Sequence, residues 1–147
     1  MLRTLALRTL LFVTYVPLAA TTLQAYAILS FNIVVTLQGS LSNPWIGGCV
    51  VLASLAGLYG VWRIWSIGKR LWIHSTYVPP EQGGRAKDGY GLLAGWLAFV
   101  AMAALTFIES SARLMSVQFL GSLFTLPAAI VATAAFAWSP ARLHITQ

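Results

Sequence analysis

The sequence predicts an all-α integral membrane protein: a single transmembrane domain, residues 1–147, with four helices in an up-down bundle and both termini in the cytoplasm. Three observations predict it. The chain is 59% hydrophobic and only 8% charged, with a mean hydropathy of +0.79, whereas a soluble domain is roughly 25% charged. Its apolar residues fall into stretches of spanning length separated by short polar breaks. Its Lys and Arg residues gather on one side of the resulting layout. A soluble domain of this size buries only part of its surface, so so much apolar material in water would leave large exposed patches.

No charge occurs between Arg8 and Arg63, a stretch too long for one span of roughly 20 residues and suited to two. The break between them is Gln38-Gly39-Ser40-Leu41-Ser42-Asn43-Pro44. Asn43 suits a helix cap and Pro44 the first helical position, where a missing N–H does no harm. The first span is therefore expected near residues 11–37 and the second near 44–67. Gly89–Ile108 and Leu114–Ala141 are again uncharged and predict spans near 90–108 and 117–138. A cytoplasmic loop, 68–89, joins the second and third. Its first half, Lys69-Arg70-Leu71-Trp72-Ile73-His74, suits either the headgroup zone or a continuation of the second helix, and Val78-Pro79-Pro80-Glu81-Gln82-Gly83-Gly84 reads as an irregular turn. The short alternating strands of a β-barrel are not seen.

Orientation follows from the cations. Arg3, Arg8, Arg63, Lys69, Arg70, Arg85, Lys87 and Arg142 fall on one side and Arg113 alone on the other, which makes the first side cytoplasmic. A bacterial cytoplasmic (inner) membrane is the expected location, with an organellar membrane as the alternative. Trp45, Trp62, Trp65, Trp72 and Trp138 fall near the expected interfaces, whereas Trp96 lies within the third span and is expected to pack on another helix. The start of the chain, through Ala25-Tyr26-Ala27, imitates a secretory signal peptide. Its apolar run is longer than a usual signal core, so an uncleaved first span is expected.

The first span carries a polar face. At 100° per residue Thr14, Thr21, Gln24, Asn32 and Thr36 share one sector. Amides facing lipid would cost several kcal/mol, so this face is expected to turn toward other helices, where each hydrogen bond contributes about 0.6–2 kcal/mol. Small residues recur four apart at Ala53 and Gly57, Ala56 and Gly60, Gly91 and Gly95, and Ala128 and Ala132. That spacing lets helix backbones approach closely. Pro17 and Pro127 are expected to kink the first and fourth spans. Glu109 and Arg113 form an expected interfacial ion pair, and Arg63 is expected to snorkel its guanidinium to the cytoplasmic surface.

The net charge of +6 is explained by topology, and no nucleic-acid partner is expected. One cysteine, Cys49, precludes an internal disulfide. His74 and His144, the only histidines, lie outside the spans, where they do not suit haem held between helices. No zinc spacing, phosphate loop or catalytic triad pattern is present. No metal, cofactor or catalytic residue is therefore expected. The partners expected are the lipid bilayer and other membrane-protein subunits or self. The leading expectation is a non-enzymatic accessory or assembly subunit of a larger membrane complex. A small pore or transport component, such as a holin-like homo-oligomer using the polar face of the first helix, is the alternative. An immunity-type membrane protein is a further one.

Overall fold

A computed structural model describes residues 2–38, 44–80, 83–108 and 125–139, with side chains at all of these except 21–22, 24–33, 35–37, 44, 46, 102 and 105–108. Among the described residues there are four helices and no strands. They are α1, Leu2–Leu37; α2, Pro44–His74; α3, Gly84–Ile108; and α4, Leu126–Trp138. Two stretches, Leu2–Ala20 and Gly47–His74, are long and apolar enough to cross a membrane.

Each boundary has a local cause. Helix α1 starts at Leu2, well before the expected start of the first span, because nothing from Leu2 to Arg8 is a helix breaker. It runs without interruption past Pro17, whose ring removes one backbone donor, and through the β-branched run Ile33-Val34-Val35-Thr36. It closes on a bond from the Gln38 N–H to the Val34 carbonyl, 2.9 Å, just ahead of the glycine-containing break. Helix α2 begins at Pro44, where a first-turn N–H has no intrahelical acceptor in any case.

Helix α2 also runs seven residues beyond the expected boundary at 67, so that Lys69–His74 takes the second of its two expected courses and continues the helix. The Arg70 Nε donates to the Ser66 carbonyl one turn back, 3.1 Å, and the basic last turns suit the negative end of the helix dipole. The helix stops at Ser75, which takes a left-handed φ of 56° while its N–H bonds the Leu71 carbonyl at 2.9 Å, an αL closure. Pro79 and Pro80 then bar further helix. Gly83, at φ 85°, offers its carbonyl to the Lys87 N–H at 3.3 Å and opens α3. Helix α3 therefore starts six residues before the expected position 90, and the loop of 68–89 contracts to a link from Ser75 to Gly83.

Helix α4 is described from Leu126, and residues 117–124 of the expected fourth span, 117–138, lie outside the described residues. Thr125 is its N-cap residue, and Pro127 sits in its first turn. The kink was expected in mid-span; in a first turn an absent N–H costs no intrahelical bond, and the residue four before Pro127, whose carbonyl the ring was expected to crowd, lies outside the described residues.

Neighbouring helices run antiparallel. Arg8 lies over Trp72 and Tyr15 bonds Ile64 across α1 and α2. Gly57 meets Ala98 and Gly60 meets Gly95 across α2 and α3. Trp96 reaches Thr133 and Arg85 reaches Ser139 across α3 and α4. The most extensive contact is between α2 and α3. The core is thin: Leu11, Tyr15 and Leu18 pack on Ile64, Ile67 and Leu71, with Leu92, Ala128 and Ala132 closing it. The Tyr15 hydroxyl donates to the Ile64 carbonyl at 2.8 Å, and its ring occupies the space that any side chain at Gly68 would need.

At the α2–α3 crossing the backbones touch. A Cβ on Gly60 would lie 2.5 Å from the Gly95 Cα and 2.8 Å from its N, with the Gly91 carbonyl at 3.2 Å. Backbone cannot move aside as a side chain can. Gly60→Ala is therefore expected to lower stability by about 1–3 kcal/mol, the cost of overpacking. Gly48→Ala, on the same helix with nothing within 4 Å, is expected to raise it by up to about 1 kcal/mol through helix propensity. Unfolding midpoints followed by circular dichroism check the pair, and equal midpoints would remove the close contact from the account of the fold.

Candidate functional site

The side chains with most chemistry among the described residues converge at the end of the α2–α3 hairpin. Arg63 and Arg70 are seven residues apart on α2, two turns along one face. Asp88 stands in the second turn of α3 and is fully buried. It is the only acidic residue among the described residues. The Arg70 Nη2 donates to Asp88 Oδ2 at 2.6 Å, and the Tyr77 hydroxyl donates to the same oxygen at 2.8 Å. The Arg63 Nη1 stands 3.6 Å from Oδ1, near enough for ion pairing, and no hydrogen bond reaches that oxygen. One carboxylate thus balances two guanidiniums, and the cluster keeps a net positive charge.

The surrounding groups hold this geometry. Gly91 lies against the aliphatic stem of Arg63, which any larger residue would displace. The Arg63 guanidinium lies 5.6 Å from the Tyr59 ring centre, and its Nε donates to the Tyr59 hydroxyl at 3.4 Å. Arg70 lies 5.6 Å from the Tyr77 ring, a cation–π approach that adds to the ion pair. Phe136 of α4 meets Tyr77 edge-on at 5.7 Å and 75°. Arg85 in turn lies 5.1 Å over Phe136 and donates from Nη2 to the Ser139 carbonyl at 3.0 Å. Asp88 therefore ties together α2, the Ser75–Gly83 link and α3, and Tyr77 extends the tie to α4.

Burial, then the hydrogen bond and charge of Asp88, push the Tyr77 phenol above its ordinary value of 10, against the smaller opposing pull of Arg70 and Arg85. The neutral phenol is the form that can donate, so Asp88 fixes the protonation state it needs. The chemistry available here is charge pairing. Guanidinium groups are donors that do not ligate cations, and no group of three His, Cys, Asp or Glu side chains gathers among the described residues.

The sequence-level candidates are distributed differently. Thr14 is buried, but its hydroxyl donates to Leu10 at 2.9 Å and Leu11 at 3.2 Å within its own helix, not to a neighbour. Thr21, Gln24, Asn32 and Thr36 fall in α1, with side chains outside those described. Ala53 is half-buried. A Cβ on Gly57 would meet the Ala98 Cβ at an ordinary 3.5 Å, Gly60, Gly91 and Gly95 form the close crossing, and Ala128 and Ala132 are core residues. Glu109 and Arg113 lie outside the described residues. The Trp96 indole N–H donates to the Thr133 hydroxyl at 3.2 Å on a neighbouring helix.

Arg63 is corrected: it does not snorkel alone but turns to Asp88, its side chain 15% exposed. The partners Asp88, Arg70 and Tyr77 were missed by sequence reasoning. The available signal was the two-turn spacing of Arg63 and Arg70 together with Asp88, one of only two acids on the cation-rich side. No protein-family model, curated protein or solved structure matches the chain.

Asp88→Asn preserves shape and removes the charge, leaving two cations without their counterion. It is expected to cost about 3–5 kcal/mol of unfolding free energy, the range for breaking a buried pair; a loss below about 1 kcal/mol would reduce the cluster to a surface ion pair. Tyr77→Phe is expected to cost about 1 kcal/mol at neutral pH. The unfolded chain ionises Tyr77 near pH 10 and the folded chain only higher. Its contribution is complete below about pH 10 and declines as pH rises further. An alkaline unfolding series should show a steeper decline for the native chain than for Tyr77→Phe, and parallel curves would contradict the assignment.

Proposed function

We propose that this chain is a multi-pass protein of a bacterial cytoplasmic membrane, with four spanning helices and both termini in the cytoplasm. It acts without catalysis, as an accessory or assembly subunit that contacts a larger membrane complex through its helix faces. The observation that carries this reading is the outward face of the helices. Leu10, Phe12, Val13 and Val16 on α1, Leu52 and Leu55 on α2, and Leu93, Leu97 and Val100 on α3 are all exposed. In water each such side chain would forgo about 1.5–3 kcal/mol of burial. Lipid or an apolar partner removes that penalty.

Charge placement supports the same reading. The antiparallel contacts bring Arg8 beside Trp72 and Arg70 beside Asp88, so the cations of α1, α2 and α3 collect at one end of the helices. That is the asymmetry expected of a cytoplasmic face. Arg63, Arg70, Tyr77 and Asp88 at this end are turned on one another, and the exposed apolar helix surface supplies the means of recognition.

The test is extraction followed by purification. The tagged chain should stay with membranes through alkaline carbonate, and in mild detergent it should elute in stoichiometric amounts with other membrane proteins. Release by carbonate would contradict membrane integration. Elution as a homo-oligomer alone would contradict the accessory role and favour a pore, to be followed by conductance measurements.

A further inference from the structure

One side of the α1–α2 pair carries cations and aromatic rings in a single groove. Tyr15 of α1 meets Trp65 of α2 edge-on at 5.6 Å and 76°. Two turns along α2, Arg8 of α1 lies 5.9 Å from the Trp72 ring centre. These two contacts fix which flanks of the helices face each other. Lys69 falls four residues after Trp65 and three before Trp72, on the same α2 flank. Phe12 falls one turn after Arg8 on the matching α1 flank. Arg8, Phe12, Lys69 and both tryptophans are exposed. Among the described residues no acid enters the groove: the one acidic side chain there, Asp88, is buried against Arg63 and Arg70.

From this arrangement we propose that the α1–α2 groove binds one glycerophospholipid with a net anionic headgroup. The proposal rests on the membrane reading above and adds the ligand class and the residues. Arg8 and Lys69 hold the phosphate, Arg8 through its planar fork and Lys69 as a point charge. The Trp65 and Trp72 rings take the glycerol and upper acyl region, the amphipathic zone such rings prefer. Phe12 extends the apolar floor toward the chain interior. Charge selects the headgroup. A zwitterionic lipid would bring an ammonium to a groove with two cations and no carboxylate among its described residues, whereas a purely anionic headgroup brings no such repulsion.

The test reconstitutes the full chain in zwitterionic vesicles containing a small fraction of lipid with brominated acyl chains, which quench nearby tryptophan. The brominated lipid is either anionic or zwitterionic, and quenching gives their relative association. Anionic lipid should be preferred several-fold, and Arg8→Gln and Lys69→Gln should each lower the preference about fivefold, as expected for a cation at an anionic lipid surface. Arg8→Lys should retain most of it. Arg3→Gln with Lys87→Gln, which removes two exposed cations away from the groove where each groove variant removes one, should leave it unchanged.

Equal quenching by the two lipids, in a chain that resists carbonate extraction, would overturn the groove assignment and leave the membrane reading standing. An equal loss from the Arg3/Lys87 pair would replace the site by diffuse surface charge and overturn it as well. A chain that does not incorporate into vesicles would overturn both. Free inorganic phosphate added outside the vesicles should not reverse the preference; if it does, the groove is an anion site and not a lipid site.

Discussion

The arrangement of this chain depends on one carboxylate held between two arginines. A lone buried acid is costly unless it is paired and hydrogen-bonded, and Asp88 meets both conditions only if three separate pieces of chain arrive together. Helix α2 must continue past residue 67 so that Arg70 faces the same way as Arg63. The link must present Tyr77, and α3 must begin early enough to bring Asp88 in its second turn. The early start of α3 departs from the boundary that local sequence suggests, and the extension of α2 is one of the two courses that local sequence left open. The ion cluster is thus a reason for the helix lengths as well as a consequence of them.

The glycine crossing and the ion cluster act on the same pair of helices at different heights. Gly60 and Gly95 let the backbones meet, and Gly91 seats the stem of Arg63. Close approach is what puts Arg63 within 3.6 Å of Asp88. Small residues in helical membrane proteins are usually discussed as a means of association. Gly91 has a second use here, since the space it leaves is filled by an arginine on its way to a carboxylate. Arg63, Arg70, Tyr77 and Asp88 are turned on one another while large apolar side chains such as Phe12, Leu52 and Leu97 are exposed, and that contrast is what the proposed place in a bilayer rests on.

Much of the fold is legible in the sequence because its determinants are local. The break ending in Pro44 marks a helix start, the four-residue spacing of Gly91 and Gly95 marks a crossing, and the placement of Trp96 within an apolar run marks a contact with another helix. The Asp88 cluster is not legible in that way. Its members are separated by an irregular link of two prolines and a left-handed glycine, and pairing depends on the register of one helix on another. No periodicity encodes that register. Read alone, the basic residues of 68–89 look like topology-setting charge, and Arg63 looks like a snorkelling side chain. Proline has opposite meanings at the start and in the middle of a helix, and Pro127 falls in the first turn of α4.

The coupling between Asp88 and Arg70 is the quantity on which this structure turns, and a double-mutant cycle measures it. Asp88→Asn, Arg70→Gln and the combined variant would be compared with the native chain by reversible unfolding in the same lipid or detergent. A coupling energy of about 1.5–3 kcal/mol, with the double variant more stable than the two single losses would sum to, is the predicted result. Additivity within about 0.5 kcal/mol would contradict it and leave the glycine crossing to define the hairpin alone.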